Sequence, residues 1–170
     1  MMIDRDRHDQ RDPLTGTVTA GAMRRFVEAA LDLSDLQGPG VVLFAIGIDG
    51  LGAIAAQHGA SQADAVLLGV ADRLRAGLRS HDLVGRLPEG FAVCLPEIFT
   101  AQAHRAAERL QRMLEARPVP TAAGPLALRC SLGLAFGRGP GSSAEDLLAR
   151  ARAALTRAQE AGGSQIVSEA

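Results

Sequence analysis

Leu83-Val84-Gly85-Arg86-Leu87-Pro88-Glu89-Gly90-Phe91-Ala92-Val93-Cys94-Leu95 decides the fold. Two short apolar runs, Leu83 to Leu87 and Phe91 to Leu95, flank Pro88-Glu89-Gly90. Proline fixes φ and glycine admits positive φ, so the segment reads as a tight antiparallel hairpin. Parallel strands need a long crossover, whereas a hairpin joins antiparallel neighbours. A hairpin among alternating helices and strands therefore favours an α+β sheet over a doubly wound parallel one.

The reading extends outward from there. Val41 to Ile48 is continuously apolar and rich in β-branched residues, which predicts a buried central strand. Before it, Thr19 is placed to cap a helix reaching about Leu36, with Phe26, Val27, Ala30, Leu31 and Leu33 as its apolar stripe. Gln37-Gly38-Pro39-Gly40 breaks that helix. After the strand, a short helix over Leu51 to His58 is stopped by Gly59. Ser61 is expected to cap the next helix, to about Arg79, with Ala65, Leu68, Val70 and Leu74 inward. Beyond the hairpin come a helix from Thr100 to about Ala116, a strand from Leu126 to Phe136, a helix capped by Ser143 and ending near Ala161, and an edge strand at Gln165 to Ser168. Residues 1–10 are polar and are expected to be a mobile segment ahead of one domain over residues 11–168.

The composition excludes several classes. Of 170 residues, 18 are basic and 19 acidic, so the net charge of −1 gives no electrostatic footprint for a nucleic-acid polymer or an anionic membrane. Every basic residue among those 18 is arginine. The apolar run Val41 to Ile48 is too short to span a bilayer, and the charged N-terminus lacks a signal-peptide pattern, so a cytoplasmic location is expected. Cys94 and Cys130 have no CxxC spacing and read as buried reduced thiols. The four histidines show no metal-ligand spacing. Gly137-Arg138-Gly139-Pro140-Gly141 lacks the lysine of a phosphate loop and reads as a plain loop.

Several motifs occur in a telling order. Asp12-Pro13-Leu14-Thr15-Gly16, Ile48-Asp49 with Gly59 and Asp64, Arg86-Leu87 before the hairpin, Phe91-Ala92-Val93 after it, Ser131-Leu132-Gly133-Leu134-Ala135, and the helix Ala151 to Gly162 follow one another. Together they resemble the GGDEF domain of diguanylate cyclases over about residues 11–168. The resemblance implies a palm-like, ferredoxin-like, nucleotide-cyclase type of fold: a mostly antiparallel central sheet flanked by helices.

The same resemblance implies a degenerate active site. The family joins two GTP molecules with Mg²⁺ held by carboxylates, which gathers phosphate charge and activates the attacking oxygen. One carboxylate comes from the first Asp of a D-x-D pair, and that position here is Gly47. The hairpin signature is one residue short, leaving Glu89 as its acid. The purine-reading Asn and its neighbouring Asp fall on Ala55 and Ala56; Asp64 keeps its place. The family's phosphate-binding cations fall on Gly52, Gln159 and Gly163. Asp49 with Glu89 is a conceivable substitute metal pair; a turn cap and a solvated hairpin tip are the alternative. The expectation is a chain without enzyme activity, cofactor or metal.

What the chain keeps is the R-x-x-D of the family's inhibitory site, which binds cyclic di-GMP. Arg79-Ser80-His81-Asp82 stands five residues before Pro88, and the resemblance adds Arg105 and Arg109 from the following helix. Guanine offers O6 and N7 to an arginine fork, and its N–H donors suit a carboxylate. Arg105 and Arg109 are i, i+4 neighbours on one helix face, with Arg112 a turn further on. An ordinary surface ion pair and a solvated helix face are the alternative. The expected function is a cyclic di-GMP receptor acting through a protein partner or a ligand-induced homodimer. Two other readings stand beside it: an interaction module that binds no nucleotide, and a residual GTP-binding or cyclase domain.

Overall fold

The computed structural model describes residues 10–169. Of the N-terminal segment expected to be mobile, only Gln10 falls within that range. The elements in chain order are α1 (Ala20–Leu33), β1 (Gly40–Ile48), α2 (Leu51–His58), α3 (Ala60–Gly77), β2 (Leu83–Leu87), β3 (Gly90–Ile98), α4 (Thr100–Glu115), β4 (Cys130–Gly137), α5 (Ala144–Glu160) and β5 (Ile166–Ser168). The strands form one sheet in the order β2-β3-β1-β4-β5. Every pairing is antiparallel except β4 with β5. The α+β reading holds, and the hairpin that led to it is β2–β3.

β1 is buried along its whole length because helices cover both faces of the sheet. Successive side chains on a strand point to opposite faces. Val42, Phe44, Ile46 and Ile48 pack with α3 and α4, through residues such as Val66, Val70, Leu74, Leu110 and Leu114. Val41, Leu43 and Ala45 pack with α1 and α5, through Met23, Val27, Leu31, Leu147 and Leu155. Fully burying such side chains contributes roughly 1.5–3 kcal/mol each. Truncating Phe44, which has no exposed surface, removes that and leaves a cavity, about 3–5 kcal/mol in all. α5 approaches β4 so closely that a Cβ on Gly133 would stand 2.2 Å from the Ala151 carbonyl oxygen. Only glycine admits that contact.

Four boundaries differ from the sequence expectation. α1 stops at Leu33, not Leu36, because Ser34 turns extended and both its N–H and its Oγ donate to the Leu31 carbonyl. Ser61 is not the cap of α3. Gly59, at φ 96°, ends α2 and starts α3 in one left-handed step. The buried stripe of α3 is accordingly Ala63, Val66, Leu67, Val70, Ala71 and Leu74, while Ala65 is half-buried and Leu68 exposed. The hairpin turn is Pro88-Glu89 alone, since Gly90 already pairs with Leu87 and Gly47. β4 begins at Cys130, because Leu126 exchanges backbone hydrogen bonds with Val119 in a small loop of its own. Both cysteines are buried and free, as expected.

Candidate functional site: an arginine cleft

α3 ends at Gly77, and Leu78 leaves it extended. The chain then turns through Arg79-Ser80-His81-Asp82 before β2. The Asp82 N–H donates to the Arg79 carbonyl at 3.1 Å. The Asp82 carboxylate accepts from the Arg79 N–H at 2.9 Å, and from its Nε and Nη2 at 3.4 and 3.5 Å. This carboxylate is only 1% exposed, whereas the Arg79 side chain is 52% exposed. The local spacing thus makes Asp82 the anchor of its own turn and sets the Arg79 guanidinium at the surface.

α4 lies opposite that turn. Its Ala103, Ala107, Leu110 and Leu114 are buried, which aims the other face outward. Gln102 Oε1 accepts the Phe99 N–H at 3.1 Å and closes the start of the helix. Arg105 and Arg109 stand one turn apart on the exposed face. Between the turn and the helix runs a cleft of about 260 Å³. Arg79, Asp82, Arg105 and Arg109 all line it, over a floor of Leu95 and Ile98 from β3. The four residues singled out from the sequence therefore converge on one concave surface. Neither Arg105 nor Arg109 forms an ion pair or hydrogen bond with a described residue. Arg112 is exposed but lies off the cleft. The Arg79–Asp82 ion pair weighed from the sequence as the alternative is formed; the sequence did not reveal that Leu95 and Ile98 line the bottom of the cleft.

Burial first, and then the Asp82 carboxylate, push the Cys94 thiol up to about 12. Cys130 is likewise raised to about 12 by burial, with Glu115 and Asp49 adding and Arg73 opposing. Both are therefore un-ionised at neutral pH and poor nucleophiles.

The other end of β1 carries the family's catalytic positions. A Cβ on Gly47 would meet Gln159 Nε2 at 2.5 Å and Leu155 Cδ1 at 3.1 Å. The movable end of the exposed Gln159 side chain and the Leu155 methyls border position 47. Asp49 accepts from Ser131 Oγ at 3.0 Å and from the Ser164 N–H at 2.7 Å. Glu89 accepts from Arg152 Nε and Nη2 at 2.7 and 3.1 Å. The two carboxylates thus serve different partners. Among the described residues no group of three or more His, Cys, Asp or Glu side chains is gathered to hold a metal. Asp64 lines a cleft of about 570 Å³ here, together with Leu51, Gly52, Ala55, Ala63 and Gln159. That lining offers a phosphate no cation.

Comparison with known proteins agrees with the fold. The family model described as "Diguanylate cyclase, GGDEF domain" matches residues 9–165. Response regulator PleD of Caulobacter vibrioides is 31% identical over 162 residues, which is 94% of this chain and 36% of that protein. An uncharacterized signaling protein of the same species is 31% identical over 90% of this chain and 19% of its own length. The chain thus spans about a fifth to about a third of these relatives. Among solved structures, diguanylate cyclase SiaD of Pseudomonas aeruginosa, crystallised with its activator SiaC, superposes with a TM-score of 0.88 at 26% identity, over 98% of this chain and 64% of that one. A microbial GGDEF domain described with bis-(3,5)-cyclic di-GMP superposes with a TM-score of 0.81 at 26% identity, over 97% and 99% of the two chains. Matched over residues 9–165, this chain belongs to the GGDEF domain family.

Proposed function

We propose that this GGDEF domain is a receptor for cyclic di-GMP that does not synthesise it. The observation that carries the reading is the convergence of Arg79, Arg105 and Arg109 on one cleft with an apolar floor. Arg79 is oriented by Asp82, and the two helix arginines are free of internal partners. Arginine forks pair with guanine O6 and N7 or with phosphate, and their planes stack on purines. Leu95 and Ile98 offer the underside that a base or sugar needs. Asp82 acts chiefly as a positioning residue for Arg79; for it to accept guanine donors, it must exchange its present contacts. No cofactor is required, and the domain acts in the cytoplasm. The absence of synthesis is supported by glycine in place of a carboxylate at position 47 and by the internal contacts of Asp49 and Glu89.

A second reading, a protein-interaction module that binds no nucleotide, is favoured by one feature. An apolar groove of about 440 Å³ runs beside α1, lined by residues including Phe26, Leu33, Pro39 and Pro96.

Calorimetric titration separates the readings. The parent protein is expected to bind cyclic di-GMP, with Arg79→Ala weakening it roughly ten- to a hundredfold, since a good bidentate contact to guanine is worth about 1–3 kcal/mol. Asp82→Asn can still accept the Arg79 N–H and is expected to lose less than Asp82→Ala. Absence of binding by the parent at high micromolar ligand selects the interaction module.

A further inference from the structure

On the other side of the Arg79–Asp82 turn lies a second cleft, of about 200 Å³. Arg11, Arg75, Arg79 and Asp82 line it, above Val18 and Val84. It shares Arg79 and Asp82 with the first cleft and no other residue, so the two adjoin along that turn. We propose that it is a phosphate subsite, through which a nucleotide bound in the first cleft reaches the opening turn of the domain. The proposal rests on the receptor reading and adds to it a binding element and a route of regulation.

The opening turn explains why the cations are in place. The Asp12 carboxylate accepts from the Thr15 N–H at 2.9 Å and the Thr15 Oγ1 at 2.7 Å, and the Gly16 N–H donates to the Asp12 carbonyl at 2.8 Å. Gly16 closes the turn at φ 72°. Two carbonyls of this turn then hold two arginines. Arg11 Nη1 donates to the Gly16 carbonyl at 3.0 Å, and Arg75 Nη2 donates to the Thr15 carbonyl. A carbonyl orients a guanidinium without neutralising it. Arg11 forms no ion pair with a described residue, and Arg75 has only the exposed Asp72 at 3.2 Å. A guanidinium has five N–H donors, so each retains donors for a ligand.

Charge and size then name the ligand class. Across the two clefts stand Arg11, Arg75, Arg79, Arg105 and Arg109, and the carboxylates touching them are Asp72 and Asp82. The excess is positive and its donors are pre-oriented, which suits an anion with more than one phosphate. The two clefts, of about 260 and 200 Å³, each fall below the several hundred Å³ typical of an independent small-molecule site and adjoin at Arg79 and Asp82. A ligand therefore spans both, with one phosphate in the second. Because the carbonyls of Thr15 and Gly16 hold the same guanidiniums, occupancy is transmitted to the turn over Asp12 to Val18.

The test uses cyclic di-GMP as the probe on the whole chain. Arg11→Gln is expected to weaken binding about fivefold, the size of one partly screened ionic contact. Arg11→Lys keeps the charge and is expected to retain most of the affinity. Amide hydrogen exchange over residues 12–18 should slow on ligand addition in the parent and less so in Arg11→Gln. If the parent binds and Arg11→Gln binds equally well, with no change in exchange, the subsite is wrong and the receptor reading survives. If both Arg11 variants lose the same affinity and melt lower without ligand, Arg11 is structural and the subsite is again wrong. If the parent does not bind, the receptor reading falls and the subsite with it.

Discussion

The two ends of β1 carry two clefts with opposite economies of charge. At the arginine cleft, the ion pair is local: Asp82 holds Arg79 from three residues away, and Arg105 and Arg109 face outward with no ion pair or hydrogen bond to a described residue. At the hairpin end, Asp49 is held by Ser131 and Ser164 and Glu89 by Arg152, while Asp64 is exposed. The cleft there is lined by Leu51, Gly52, Ala55, Asp64, Glu89 and Gln159 among others. Exposed guanidiniums are open to a ligand, whereas carboxylates already held by the fold must exchange those contacts first. The same family scaffold therefore supports opposite expectations at two places about one strand apart.

Substitutions can break or sharpen this contrast. The largest effect belongs to the first cleft: Arg79→Ala together with Arg109→Ala should abolish cyclic di-GMP binding in calorimetry, with a small loss of thermal stability because the buried Asp82 carboxylate keeps the Arg79 N–H but loses its guanidinium. Next comes Gly47→Asp. It puts atoms where Gln159 Nε2 and Leu155 already lie and should cost about 1–3 kcal/mol by overpacking alone. Denaturant midpoints check it, and adding Gln159→Ala should recover a large part. If Gly47→Asp is neutral, Gln159 and Leu155 do not crowd position 47. Arg152→Ala frees Glu89 from a pair that is 46% and 24% exposed, so the loss should stay within about 1 kcal/mol after solvent screening. Sedimentation velocity offers a further discrimination: cyclic di-GMP should shift the chain from monomer toward dimer, because a ligand with two guanines and two phosphates can satisfy arginines on two copies. An unchanged monomer at saturating ligand removes self-association and leaves the receptor.

The smallest effect is on pH. Cys94 and Cys130 ionise near 12 in the folded chain, against an ordinary value of 9.0. A group with a raised folded pKa favours the folded state while it holds its proton. Its contribution is complete below about pH 9 and lost as pH rises toward about 12. Denaturant midpoints should therefore fall through that window. Cys94→Ala should flatten part of the fall.

Much of this was legible in the sequence, and the rest was not, for physical reasons. The hairpin, the central strand and the R-x-x-D turn depend on residues within a few positions of one another, so pattern and turn chemistry reveal them. Arg105 and Arg109 were picked out by the family resemblance, and helical spacing adds that they share one face of α4. Leu68 was misplaced because the buried stripe of α3 runs Ala63, Val66, Leu67, Val70, Ala71 and Leu74, and at 3.6 residues per turn Leu68 points about 100° away from Leu67. The start of β4 was misplaced because Val119 claims the backbone groups of Leu126. The pairing of Glu89 with Arg152 and the bordering of position 47 by Gln159 join distant parts of the chain through the packing of α5 on the sheet. No local pattern encodes them.

The account's central claim is a domain that reads cyclic di-GMP and does not make it. Parallel calorimetric titrations of the purified chain with cyclic di-GMP and with GTP in Mg²⁺, the second followed by chromatography of the mixture, test it most directly. The account predicts saturable heat from cyclic di-GMP, far weaker binding of GTP, and no cyclic di-GMP formed from GTP. Product formation that disappears on Asp49→Ala or Glu89→Ala, or a cyclic di-GMP titration indistinguishable from buffer, would contradict it.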